Sequence, residues 1–225
     1  PGPFASWKLK PLTKEYFLWF TLLSTGVFGF FISTDLFTMF MFYEVALIPM
    51  YLLIGVWGSG RKEYSAMKLT LMLMGGSAFL LIGILGIFYG AGAETMNVIE
   101  IAKLKIPTEF QQIFFPMVFL GFGVLGALFP FHTWSPDGHA SAPTAVSMLH
   151  AGVLMKLGGY GCFRVAMYLM PTGLAYWGDF FLVLTTISVV YGAFSAVVQT
   201  DLKYINAYSS VSHCGLVLFA LLMAT

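Results

Sequence analysis

Charge is scarce in this chain. Lys, Arg, Asp and Glu together make up 9% of its 225 residues, against about 25% in soluble domains. That scarcity excludes a water-soluble domain. The net charge of +1 leaves no basic surplus for a nucleic-acid partner. Cysteine is nearly absent: Cys162 and Cys214 lie in apolar helical sequence without CxxC or Cys/His spacing, and read as small hydrophobes. The four histidines lack ligand spacing, so no metal site is expected. No Walker, GxGxxG, CxxCH or HExxH string occurs, which leaves no nucleotide, haem or hydrolase site. There is no initiator Met and no signal-peptide pattern. The chain opens Pro-Gly-Pro and stops inside an apolar run, so both ends are expected to be edges of a fragment.

What is present is apolar sequence, 59% hydrophobic with a mean hydropathy of +0.85. A bilayer span needs about 20 such residues, and a backbone in lipid must satisfy its own hydrogen bonds, so these runs mean helices. Seven runs qualify: 15–33, 35–58, 64–90, 111–130, 143–170, 177–199 and 203–224. The expected fold is all-α, a polytopic transmembrane bundle forming a single membrane domain over 1–225.

The connections carry their own signals. Asp35, after a tight Ser33-Thr34 turn, is placed to cap the second helix. Residues 58–63 (GSGRKE) form a short basic loop. Residues 91–110 form the longest polar stretch, with an amphipathic piece around VIEIAKLKI. Residues 129–143 (FPFHTWSPDGHASAP) hold Pro130, Pro136 and Pro143, a spacing that cannot continue as helix. A broken or re-entrant segment is expected there, buried in protein or lining a wet cavity. Its His132, Asp137 and His139 either gate that segment or satisfy its freed backbone groups. Dense glycines at 75–76, 83, 86, 121, 123, 126, 158, 159 and 161 allow close helix approach.

Counting Lys and Arg by side gives Lys8, Lys10, Lys14, Arg61, Lys62, Lys68 and Lys203 against Lys103, Lys105 and Arg164. The richer side is expected to be cytoplasmic or its equivalent.

Two charges remain inside apolar runs. Glu44 sits in DLFTMFMFYEVALIPMYLLIGVWG, and Lys156 in TAVSMLHAGVLMKLGGYGCFRVAMYLM. A charge at mid-depth costs at least ~2.5–3.5 kcal/mol and usually marks an ion or proton path. Lys156 is about 13 residues from either end of its run, or ~20 Å at 1.5 Å per residue, too far to snorkel comfortably. His150 precedes it by six residues, on another helix face; it is either a relay group or a satisfied interior histidine. Lys203 stands with Asp201 at the start of the last run, where a capping role competes with a channel role. His213 lies among Ser209, Ser210 and Ser212, a stripe suited to holding water.

Taken together, three stretches resemble a known family in the same order: FYEVALIPMYLLIGVWG, PFHTWSPDGHASAPTAVSMLHAGVLMKLGGYG and QTDLKYINAYSSVSHCGL. The chain is similar to the antiporter-like membrane subunits of respiratory complex I, relatives of multi-subunit sodium/proton antiporter subunits. The KLGGYG run and the PDGH-to-SVSH order favour the chain M, or subunit 4, type. The resemblance implies two inverted five-helix repeats, each with a broken helix, of which this chain would hold the first and the start of the second. It implies a proton path in which Glu44 matches the family's glutamate and Lys156 its central lysine, with Lys203 and His213 in the third motif. It implies other membrane-arm subunits and lipid as partners in an energy-transducing membrane, such as the bacterial inner membrane. The chain itself would hold no redox cofactor: NADH or another donor, FMN, Fe–S clusters and quinone would belong elsewhere in the complex.

One departure stands out. The family carries a lysine five residues before the proline of its PxHxW segment, as partner of the glutamate, and this chain has Leu125 there. Three readings stay open: another group, with His150 the candidate, replaces it; the subunit is a non-pumping structural paralogue; or the alignment slips locally. A cation/proton antiporter and a membrane-bound hydrogenase or carbon-uptake complex are the competing functional classes.

Overall fold

The computed structural model describes residues 2–9 and 12–224, so Lys10 of the charge count lies outside the described residues. The chain is a bundle of helices: α1 Gly2–Ala5, α2 Thr13–Ile32, α3 Leu36–Trp57, α4 Lys62–Gly90, α5 Val98–Lys103 and α6 Thr108–Leu125, followed by α7 Trp134–Ser141 and α8 Thr144–Leu149. A π-helical stretch, His150–Leu154, leads into α9 Met155–Gly161, and a second, Cys162–Met167, precedes α10 Pro171–Val198 and α11 Leu202–Met223. Among the described residues, six helices are long and apolar enough to cross a membrane.

The expected fifth span, 143–170, is not one uninterrupted α-helix. It runs as α8, π turn, α9, π turn. The Met155 N–H bonds the His150 carbonyl, five residues back, which widens the coil by one residue. The expected fourth span also ends early, at Leu125 rather than 130. Ala127 takes a left-handed φ of 56°, which a side chain tolerates poorly, and Pro130 then bars any return to helix. The amphipathic piece of the polar stretch is α5, with Val98 and Ile101 buried and Glu100 exposed. Asp35 caps α3 as expected, accepting from Thr38 N at 3.1 Å.

Contacts between the connections define two ends of the bundle. At the first end, Tyr16 at the start of α2 packs edge-on to Trp57 at the end of α3. Ser59 N donates to the Ser141 carbonyl at the end of α7. At the second end, Asp35 pairs with Asn97, and the buried Gln111 clamps the start of α6 to that of α10. Its Nε2 donates to the Ile106 carbonyl, and its Oε1 accepts from Thr172 N and Gly173 N. Helix N-termini leave such N–H groups unpaired, so one side chain closes two loops. Lys8, Lys14, Arg61, Lys62, Lys68 and Lys203 belong to the first end by these contacts and the helix order, and Lys103, Lys105 and Arg164 to the second.

The core is where α6 meets α4, α9 and α10, and it depends on missing side chains. A Cβ on Gly158 of α9 would strike the backbone of Gly126 and would lie 2.6 Å from the Phe122 carbonyl oxygen. A Cβ on Gly121 would lie 2.8 Å from Leu80 Cβ of α4. Backbone atoms cannot swing aside, so Gly158→Ala is expected to force α9 off α6. The cost is that of overpacking, about 1–3 kcal/mol, read as a fall of roughly 3–10 °C in the detergent-solubilised melting temperature. Gly152→Ala, which meets open space, is the control and should leave the midpoint within error.

Candidate proton pathway at the broken helix

The break between α6 and α7 is held by bonds that replace the lost helix. Leu128 N donates to the Gly123 carbonyl at 2.8 Å and Phe131 N to the Leu128 carbonyl at 2.7 Å. Phe129 N donates to Ser188 Oγ of α10 at 2.7 Å, and the Trp134 indole N–H to the Val124 carbonyl at 3.1 Å. The unwound backbone is thus closed by one serine and one tryptophan, and α7 is fixed in direction. Pro136 lies within α7 and Pro143 directly precedes α8, and both are buried. His132 packs against Phe129 and Tyr191, which places it beside the break.

Held this way, α7 presents Asp137 to a cation from α4. Lys68 Nζ lies 2.7 Å from Asp137 Oδ2, and both side chains are about a quarter exposed, 24% and 25%. The Tyr204 hydroxyl of α11 donates to Asp137 Oδ1 at 3.3 Å. These three groups are 69 and 67 residues apart in sequence. Two further groups close the same end. Lys203 Nζ donates to the carbonyls of Ala140 and Ala142 at 3.2 and 3.3 Å, while Asp201 caps α11 through Lys203 N. Asp137, Ser141, Lys203 and Tyr204 line a cleft of about 580 Å³ opening at the first end.

Two residues beyond Asp137, His139 turns inward. Its Nδ1 lies 3.0 Å from Ser147 Oγ of α8, and its ring centre is 4.2 Å from that of His150. His150 stacks on Trp134 with centroids 5.2 Å apart. Both histidines are buried. His150 opens the first π turn, and the next residue, Ala151, offers its carbonyl to the Lys156 ammonium. Lys156 therefore folds back along its own helix, on the exposed side of the bundle. A smaller cleft of about 240 Å³ joins Ser147, Ala151, Lys203 and Asn206. It links Lys156's carbonyl anchor to the first end.

The remaining candidates lie apart from this group. Glu44 shares the outer stripe of α3 with the exposed Phe37, Met41, Ile48 and Tyr51, and its Oε1 is buried with no hydrogen-bond partner among the described residues. Its neighbour Tyr43 points the other way and donates to the Leu73 carbonyl of α4 at 3.0 Å. His213 is exposed on α11. Of the serines around it, Ser209 and Ser210 lie one turn before it on the same helix face. Ser210 is bonded to the Asn206 carbonyl of its own helix, while Ser212 turns to the Val189 carbonyl of α10. Leu125 is the last residue of α6 and is buried in the core. From the sequence alone Lys68 reads only as a side marker. Its one signal was a lysine a turn and a half inside an apolar helix.

The fold and the site define a polytopic helical membrane protein whose ionisable groups gather at a broken helix. The chain belongs to the NADH:quinone oxidoreductase/Mrp antiporter transmembrane family, whose model matches residues 33–225. It is 37% identical over 218 residues to NAD(P)H-quinone oxidoreductase chain 4 2 of Microcystis aeruginosa, covering 96% of this chain and 39% of that protein. This chain thus spans about two fifths of that relative's length. In structure it is similar to a chain of respiratory complex I from Thermus thermophilus, with a TM-score of 0.88, 27% identity, and 93% and 45% of the two chains covered. It is equally similar to a chain of the archaeal membrane-bound sulfane sulfur reductase, with a TM-score of 0.87, 29% identity, and 96% and 45% covered.

The Lys68–Asp137 pair is part-buried, short and charge-assisted. Lys68→Met and Asp137→Asn are each expected to lower the melting temperature, and the double variant to lose less than their sum. A coupling of about 1 kcal/mol is expected, at the upper end for ion pairs open to water. Strict additivity in the thermal melts would mean the pair contributes nothing.

Proposed function

We propose that this chain is part of a proton-carrying membrane subunit in a quinone-reducing redox complex, without a redox centre of its own. The observation that carries the reading is the grouping of Lys68, Asp137, His139, His150 and Lys156 at one interrupted pair of helices. Lone ionisable groups in a bilayer are costly and mark transport paths, and here five converge. The proposed route enters by the cleft at Asp137 and Lys203, passes inward to His139 and His150, and reaches Lys156. Glu44 and His213 sit on the outer faces of α3 and α11, where the route would meet neighbouring helices or subunits.

Each residue has a distinct part in this reading. Asp137 receives protons from water in the cleft, and Lys68 and Tyr204 hold it in place. Lys156 carries a charge that can be gained or lost, steadied by the Ala151 carbonyl. The partners are the other membrane-arm subunits and lipid, in an energy-transducing membrane. The Lys-rich first end faces the cytoplasm or its equivalent. The electron donor, FMN, Fe–S clusters and quinone belong to other subunits. A second reading, a cation/proton antiporter subunit, draws on the same family, which includes Mrp antiporters. It predicts cation-dependent proton exchange without electron transfer.

The test is proton uptake per electron pair in vesicles carrying the intact complex, with quinone reduction checked in the presence of an uncoupler. Lys156→Met is expected to lower the ratio while the complex still assembles. An unchanged ratio in an assembled complex would make this subunit a spacer.

A further inference from the structure

Among the described residues four buried ring nitrogens have no hydrogen-bond partner. One is Nδ1 of His132, beside the break, and the other three lie together, Nε2 of His139 and both nitrogens of His150. Burying polar nitrogens without hydrogen bonds is expensive, and these belong to two rings in contact. Ring centres lie 4.2 Å apart with planes tilted by 32°. Trp134 stacks on His150 at a tilt of 23°, and Ser147 holds Nδ1 of His139. Both rings are thereby fixed from outside, one by stacking and one by a hydroxyl, with their unbonded nitrogens buried. Gly138 permits the approach, since a Cβ there would lie 3.1 Å from His150 Cε1.

We infer that His139 and His150 form a single proton-holding site, which takes up one proton and not two, and whose charge alternates with that of Lys156. The inference rests on the translocation reading above. Two imidazolium rings at this spacing, away from water, repel far above thermal energy, so the second proton is refused. One imidazolium stacked on a neutral ring and an indole is, by contrast, favoured by their π faces. The alternation with Lys156 follows from the chain path. His150, Ala151 and Lys156 share one π turn and the residues it leads into, and the ammonium sits on the carbonyl directly after His150. Like charges that close disfavour one another. A proton arriving on a ring nitrogen of the pair is therefore matched by one leaving Lys156 Nζ, and the local charge stays constant.

The other charges around the pair are accounted for. Lys68 and Asp137, on α4 and behind it on α7, neutralise each other. Glu44 is the only charged residue of α3, which packs on α8. Helix α11 packs on α7 and α9. Its Lys203 ammonium is held at the Ala140 and Ala142 carbonyls, just beyond His139 and towards the first end. Its Tyr204 hydroxyl is on Asp137, and His213 is exposed. Lys14 and Glu15 open α2, also packed on α9, at the first end.

The experiment uses the intact complex in vesicles and measures proton uptake per electron pair across pH. It compares wild type, H139F, H150F, the H139F/H150F double variant and K156M. Phenylalanine keeps the stack on Trp134 and removes the nitrogens. Groups acting as one unit give non-additive losses. The expected result is that H139F, H150F and the double variant lose the same share of the ratio as K156M. Each should also abolish the wild-type pH dependence of that share. Unequal losses that add in the double variant would mean two independent groups and would overturn the single site. A ratio lowered by K156M but untouched by H139F and H150F would overturn the pair and leave the translocation reading standing. No change in K156M would overturn both. Glutamine at each position is the second variant, and a complex that assembles with neither replacement would make the pair structural and overturn the proposal.

Discussion

A backbone in lipid has no water to bond to, and the rest of this structure depends on how the chain meets that constraint where α6 stops. Between Gly126 and Thr133 the helical ladder is gone. The replacements are few and specific: Ser188 from α10 takes Phe129 N, and Trp134 takes the Val124 carbonyl. Those bonds fix the entry of α7. The direction of α7 then decides that Asp137 meets Lys68 and that His139 meets His150. Trp134 has a double task, since its N–H closes the break while its ring supports His150. The integrity of the break and the placement of the ionisable groups are therefore one problem.

Much of this architecture was legible along the chain because it is local. Apolar run length located the spans. Three prolines within fourteen residues located the break. Asp35 declared itself as a cap by standing just before an apolar run. What was not legible depends on distance or on subtle backbone choice. The Lys68–Asp137 pair joins residues 69 apart, and nothing in either neighbourhood points to the other. The Gln111 clamp spans 61 and 62 residues. The π turns were invisible because their residues, HAGVL and CFRVAM, have no feature that excludes an α-helix. The expected spacing of His150 and Lys156 held in one sense, since one is buried and the other exposed. It missed that a flexible lysine can reach back to the carbonyl beside His150.

The resemblance read from the sequence raises the question of Leu125. It is the last α-helical residue before the break, and its surroundings are the packed α6 core. A lysine there would need a partner, and Glu44 stands with a buried, unbonded oxygen on the outer stripe of α3. The structure thus keeps a buried, unbonded carboxylate oxygen while the lysine that the resemblance would place at 125 is absent. At the same time it gathers an ion pair and two imidazoles on the far side of the break. The basic groups of the site sit on α4, α7, the first π turn and α9 rather than at the end of α6.

The spacer reading must answer for what those groups cost. A helix pair that only filled space between neighbours would be more stable with Leu at 150 and Met at 156. The first replacement removes two unpaired buried nitrogens, and the second removes a charge from the interior of a membrane-crossing run. It would have no use for a π turn at His150 either, because a widened coil packs less well than a regular one. This chain retains all three features within seven residues, beside a cleft that reaches them from one end. Leu125 removes one charge from the α6 side of the break. The route proposed above, from the cleft through α7 to Lys156, needs no residue of α6 to carry a proton.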